Sequence, residues 1–346
     1  MGRSGSPDAV VDPAPPELPP DRSSAVRRLL VRVLVTSAVL ACLVVGLLRW
    51  RDGEVRLDHF HWGWMLVGGC AWTASLPLQA VRWRALLPPG QRPPVVPMMV
   101  LVVGANLFNL AVPGPSGEVL AATLAARRWP LSLPAAVCSS LLARVLALAV
   151  LGTLAAVLWP FLSVQDGVPI VWMEAAAVAV GLGTGLLWAV LRWPLPMVRA
   201  AERLAARLGA ERLGSRLESL DDAFVQLGAV PLRGWVEAAL ASAVNTGIQG
   251  LGTFAAFASV GVSAPLLGLF YVHLLASLSL VVGIIVPGGV GAPEAVYGAF
   301  LPAVGGPGAV EAVIGALAVR QAQTLTMVFS IPALVWMWRG GAGSAR

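Results

Sequence analysis

Along this chain, uninterrupted apolar runs alternate with short clusters of arginine and acidic residues. Runs long enough to cross about 30 Å of hydrocarbon lie near 31–48, 62–81, 133–158, 170–191, 234–258 and 310–338 and predict six spanning helices. Two further apolar segments, near 95–126 and 265–301, are each interrupted by a Pro/Gly cluster: Val112-Pro-Gly-Pro-Ser-Gly-Glu118 and Val286-Pro-Gly-Gly-Val-Gly-Ala-Pro-Glu294. Such residues end helices, and at membrane depth a freed backbone group is tolerated only where protein or a cavity covers it. The pattern therefore predicts an all-α, polytopic membrane bundle of six full spans plus two broken hairpins.

The arginine distribution supplies an orientation. All 24 basic residues are Arg. With the N-terminus placed in the cytoplasm and both hairpins returning to their own side, 19 arginines fall on the cytoplasmic face, counting the loop 82–92 and the loop 192–233 among them. Only Arg49, Arg51 and Arg56 fall outside, beside Asp52, Glu54 and Asp58, while Arg144 and Arg320 lie within spans. This is the positive-inside bias expected of a multi-pass protein with both termini cytoplasmic. Residues 1–25, rich in Pro, Ser and acidic side chains, read as a disordered tail, and 339–346 as a short C-terminal tail. Arg27, Arg28 and Arg32 precede the first apolar run without a clear small-residue cleavage site, so that run reads as an uncleaved span. Near 195–230, Leu213, Leu217, Leu220 and Phe224 recur at helical spacing among charges, which predicts an amphipathic helix on the membrane face or in a solvated linker.

Two halves emerge, 26–158 and 159–338. Each runs span, span, broken hairpin ending in Glu, and span containing Arg. Glu118 to Arg144 and Glu294 to Arg320 are the same 26-residue step, and both clusters open with Val-Pro-Gly. The first half enters from the inside and the second from the outside, so the expectation is an inverted repeat whose hairpins aim at a shared centre. Broken helix ends present backbone donors and the positive end of a helix dipole, a setting for an anionic headgroup. An intramembrane Arg is costly unless paired or wetted, and Glu118 and Glu294 are the natural partners of Arg144 and Arg320. The candidate binding residues are thus Arg144, Arg320, Glu118, Glu294, Gly114, Gly117, Gly288, Gly289, Gly291 and Asn109. The competing reading is a pair of purely structural ion pairs around Pro-kinked helices. Asn106, Asn245, Gln249, Gln321 and Gln323 read as interhelical hydrogen-bond partners, and His273 as a core residue.

Composition narrows the class. Hydrophobic residues make up 57% and charged residues 12%, half the charged share of a soluble globule. The net charge of +6 is explained by topology, so no nucleic-acid partner is expected. An all-Arg basic set with abundant Ala, Gly and Pro fits a GC-rich bacterial gene, hence a bacterial plasma membrane. Cys42, Cys70 and Cys138 lie apart within apolar runs and are expected to be buried free thiols, with no metal site and no cofactor.

These residues resemble the flippase-like integral membrane family that includes the transmembrane region of lysylphosphatidylglycerol synthases. The resemblance spans about 30–338 and rests on Arg82-Trp83-Arg84 with Leu86-Leu87, Pro113 to Glu118, Arg144-Val-Leu, Pro287 to Glu294, and Arg320 in the last span. Ala143 and Ala147 stand where the family pattern around the first intramembrane Arg is acidic. The resemblance implies translocation or handling of a lipid with an anionic or aminoacylated headgroup, either a phospholipid or a polyprenyl-phosphate-linked precursor. It also implies a separate cytosolic or membrane synthase as a partner, since the chain stops eight residues after Trp338. Without a Ser/His/Asp constellation, paired loop carboxylates or a HExxH run, no enzymatic activity is expected. The alternatives are a membrane scaffold for lipid or cell-envelope enzymes and a coupled carrier of a small anion.

Overall fold

The structure is a computed structural model that describes residues 60–111, 116–162, 178, 180–185, 188, 230–279 and 291–340. Its helices are α1 (Trp62–Ala85), α2 (Val95–Ala111), α3 (Ser116–Arg128), α4 (Leu133–Leu158), α5 (Leu232–Ser259), α6 (Leu266–Ser279), α7 (Ala292–Phe300) and α8 (Ala309–Gly340), and the described residues hold no strand. The all-α expectation therefore holds. Helices cover four of the expected spans. The first, 31–48, the amphipathic stretch 195–230 apart from its last residue, and the tail 1–25 lie outside the described residues, and of 170–191 only residues 178, 180–185 and 188 fall within them. Helix α8 continues to Gly340, two residues beyond the expected end of the last span. By length and composition together, the described helix that qualifies as a membrane crossing is Leu133–Phe161. Its start is set locally: the Ser132 hydroxyl accepts from the Ala135 N–H at 3.3 Å, with a proline in the first turn.

The other three long helices carry polar residues because they face one another. Helices α1 and α5 run antiparallel: the His61 N–H donates to the Ser259 carbonyl at 2.8 Å at one end, and at the other a Cβ on Gly234 would lie 2.6 Å from the Ala85 carbonyl oxygen. Small residues let the backbones approach. A Cβ on Gly68 would stand 3.2 Å from the Gly252 carbonyl oxygen and 3.3 Å from the Ala322 Cβ, which locks α8 onto the same seam. In lipid, where apolar side chains gain nothing by leaving the bilayer, close packing of this kind and buried amide bonds hold helices together. Gln249 donates to the Ser75 hydroxyl at 3.2 Å, joining α5 to α1, and Asn106 donates to Gln79 at 3.1 Å, joining α2 to α1.

Among the described residues two hydrophobic cores form, one at each end of the α1–α5 pair. The first gathers Ala80, Leu86 and Leu87 of the α1 end with Met98, Leu101, Leu142 and Leu146. The second gathers Met65, Phe257, Leu269, Leu274, Tyr297 and Ile314. Exchanging α1–α4 with α5–α8 leaves the pattern of extensive helix contacts unchanged: α1 meets α8 as α5 meets α4, α2 meets α8 as α6 meets α4, and α3 meets α4 as α7 meets α8.

Each broken segment is a pair of helices, with residues 112–115 and 280–290 at the breaks outside the described set. The second arm of the later pair, α7, has nine residues, about 14 Å at 1.5 Å per residue, less than half a bilayer core. One expectation fails on α1: Cys70 is free but exposed, whereas Cys138 is buried and free. Cys70 shares the outward face of α1 with Leu66, Val67 and Ala74; an apolar run long enough to span does not say which of its faces meets the bundle.

Candidate functional site

Both predicted carboxylates occupy the third position of a helix that begins just after a break, Glu118 in α3 and Glu294 in α7. Both predicted arginines lie eleven residues into the following helix, Arg144 from Leu133 and Arg320 from Ala309. Helices α3 and α4, and likewise α7 and α8, pack against each other. The result is two ion pairs of like construction. Arg144 Nη1 meets Glu118 Oε1 at 2.6 Å, and Arg320 Nε meets Glu294 Oε1 at 2.6 Å.

The start of α7 explains the use of glycine there. Gly291 caps the helix at φ +101°, ψ −44°, with Pro293 in the first turn, where no N–H is needed. The Gly291 N–H donates to Glu294 Oε2 at 2.8 Å, so one carboxylate closes the helix start and holds Arg320 with its other oxygen. A second, longer contact joins Arg320 Nη2 to Glu294 Oε2 at 3.5 Å. Gly291→Ala is expected to cost about 1 to 3 kcal/mol, because a side chain is strained at this φ. Gly247→Ala, on α5 with open space around it, should leave thermal stability in detergent unchanged or raised. Equal melting temperatures for the two variants would contradict the strained cap.

The pairs differ in their surroundings. The side chains of Arg320 and Glu294 are each 9% exposed, whereas Arg144 is 41% exposed and Glu118 23%. One pair is sealed inside the bundle and the other is reachable from outside it. Of the remaining candidates, Gly117 is buried in the first turn of α3, and Asn109 is on α2 with its side chain outside the described set. Gly114, Gly288 and Gly289 also lie outside the described residues.

Two features escaped the sequence reading. Arg82 belongs to the last turn of α1 rather than to a loop, since the helix runs to Ala85. Its neighbour Trp83 donates to the Ser139 hydroxyl at 2.9 Å and pins this turn to α4. In the second half, His273 Nδ1 lies 3.1 Å from the Thr253 hydroxyl and 3.2 Å from the Tyr297 hydroxyl, three residues along α7 from Glu294. His273 is a core residue, as expected, though its Nε2 has no hydrogen-bond partner. Neither had a local signature: an arginine at the end of an apolar run looks the same inside a helix or beyond it, and the second feature joins three helices. Among the described residues no group of three or more metal-ligating side chains occurs.

Searches among curated proteins and among solved structures found no match. A family model described as the lysylphosphatidylglycerol synthase TM region matches residues 29–330. That match includes both breaks, both ion pairs and every helix from α1 to α7, with most of α8. The chain is an integral membrane protein and belongs to the lysylphosphatidylglycerol synthase transmembrane-region family.

Proposed function

We propose that this protein is a lipid flippase or transporter-like protein that carries a lipid with an anionic or aminoacylated headgroup across a bacterial plasma membrane. The observation that carries the reading is the repeated unit of break, helix-starting Glu and Arg on the next helix, with a contact pattern unchanged when the halves are exchanged. Antiparallel packing of the equivalent helices α1 and α5 supports an inverted relation, because a two-fold axis in the membrane plane reverses the direction of every helix it relates. The breaks then approach the centre from opposite faces. Six crossings with both termini in the cytoplasm complete this arrangement. The headgroup travels along the interior arginines while its acyl tails stay in the bilayer, and no bond is made or broken. A separate synthase would supply an aminoacylated lipid. The sealed second pair favours a supporting role for Arg320 and Glu294, with the lipid handled mainly at the open first pair.

The test is transbilayer movement in reconstituted vesicles of labelled phosphatidylglycerol and its lysyl ester, with labelled phosphatidylcholine as reference. Wild-type protein is expected to move the first two faster than the reference. Arg144→Gln should slow them about 10- to 100-fold, the worth of one charge-assisted hydrogen bond. Movement no faster than in protein-free vesicles would overturn the proposal and favour a scaffold.

A further inference from the structure

Arg82, half-buried, is the charge for which the two ion pairs provide no use. Its Nε is inaccessible and has no hydrogen-bond partner, and so is Glu118 Oε2. Arg82 acts electrostatically on both Arg144 and Glu118. Among the described residues two guanidinium groups therefore share one carboxylate, which leaves this cluster with one positive charge too many. The neighbouring arginines are not in this position: Arg84 donates to the Pro93 carbonyl at 2.7 Å, and Arg92 donates to the carbonyls of Leu87 and Ala85. The equivalent turn of the second half has no counterpart, since the last turn of α5 contains Ala255, Ala256 and Ala258 and no charged residue. Arg320 and Glu294 balance.

A partly buried cation held beside a second cation is costly at membrane depth unless an anion completes the set. Among the described residues one carboxylate, Glu118, lies here, and its Oε1 is already taken by Arg144 at 2.6 Å. The cluster is also reachable from outside the bundle through the open Arg144–Glu118 pair. A helix start adds to the field, because Gly117 and Glu118 lie in the first turn of α3.

We infer that Arg82 and Arg144 together bind a single phosphate group, whose one negative charge completes the cluster, and that Glu118 competes with the phosphate for Arg144. A lipid phosphodiester and free phosphate share this chemistry. The inference rests on the proposed handling of an anionic lipid and assigns its headgroup to the first half of the molecule. The two halves then have different tasks: the first receives the headgroup, and the second, with its self-balanced pair, holds the bundle together.

The experiment uses the full chain in neutral detergent. Thermal stabilisation and lipid retention in native mass spectrometry are read while titrating inorganic phosphate, phosphatidylglycerol or phosphatidylcholine. Arg82→Gln is expected to weaken phosphatidylglycerol binding about 10- to 100-fold while leaving the melting temperature of the lipid-free protein unchanged or raised, because it removes a charge repelled by Arg144 and the inaccessible, unpartnered Nε. Glu118→Gln should act in the opposite sense and tighten binding, since the internal competitor has lost its charge. A merely structural Arg82 would lower the lipid-free melting temperature and give neither affinity change. Inorganic phosphate binding with the same Arg82 dependence and no preference for lipid assigns the site to a free anion; dependence seen only with phosphatidylglycerol assigns it to the headgroup. Unchanged phosphatidylglycerol and phosphate binding in Arg82→Gln overturns the inference, even if wild-type protein moves lipid across vesicles. Arg82-dependent binding without transbilayer movement leaves the inference standing and removes the flippase reading. If Arg82→Gln fails to fold, the Glu118→Gln affinity change decides by its sign.

Discussion

Arg320→Gln is expected to lower stability by about 3 to 5 kcal/mol, because it strands the Glu294 carboxylate inside the bundle. The pair is enclosed, and Glu294 also accepts the N–H of Gly291, so losing the guanidinium loosens the cap of α7 together with its attachment to α8. Glu294→Gln should cost less. A glutamine oxygen still accepts from Gly291, although the charge opposite Arg320 is gone. The double variant Arg320→Gln, Glu294→Gln is expected to recover most of the single-variant loss, since two neutral amides need no counter-ion. Arg144→Gln should reduce stability less than Arg320→Gln, because its pair lies open. Thermal and denaturant unfolding in a single detergent measures all four. A melting temperature for Arg320→Gln within a degree of wild type would show that the second pair is not the lock inferred here.

The second large effect is expected at the crossing of α5 and α8. A Cβ on Gly315 would fall 2.3 Å from the Phe257 ring, which is buried and packed 5.4 Å from the ring of Tyr297. Gly315→Ala must therefore displace a buried ring, and overpacking of this kind costs about 1 to 3 kcal/mol. Gly315→Leu should fail to give a folded protein. Pairing Gly315→Ala with Phe257→Leu makes room and is expected to regain stability relative to Gly315→Ala alone. If the double variant is the less stable of the two, the contact is not what keeps position 315 a glycine.

Several parts of this architecture were readable before any coordinates. The Glu118 and Glu294 positions at helix starts followed from Pro and Gly just upstream, since a proline needs no N–H in a first turn and a carboxylate suits the helix N-terminus. The equal 26-residue steps to Arg144 and Arg320 announced pairs of like construction because each step runs from the third residue of one helix, through the connection, to the twelfth residue of the next. The exposed face at Cys70 was not readable. Nor was the inclusion of Arg82 in α1: an arginine at the end of an apolar run looks the same whether it points to the headgroups or back along the helix.

By itself, then, the sequence determined the class of solvent, the helical content, the repeated unit and the partners of the two ion pairs. Each of these depends on composition, on helix-breaking residues or on spacing within a few neighbouring elements, all of which act locally. Only the tertiary structure decided that one pair is sealed and the other open, that the turn carrying Arg82 is pinned to the helix of Arg144, and that His273 meets Thr253 and Tyr297. Those outcomes depend on which face each helix turns toward the others. In a bundle this apolar, the facing is set by the approach of small residues such as Gly68, Gly252 and Gly315 across helices far apart in the chain.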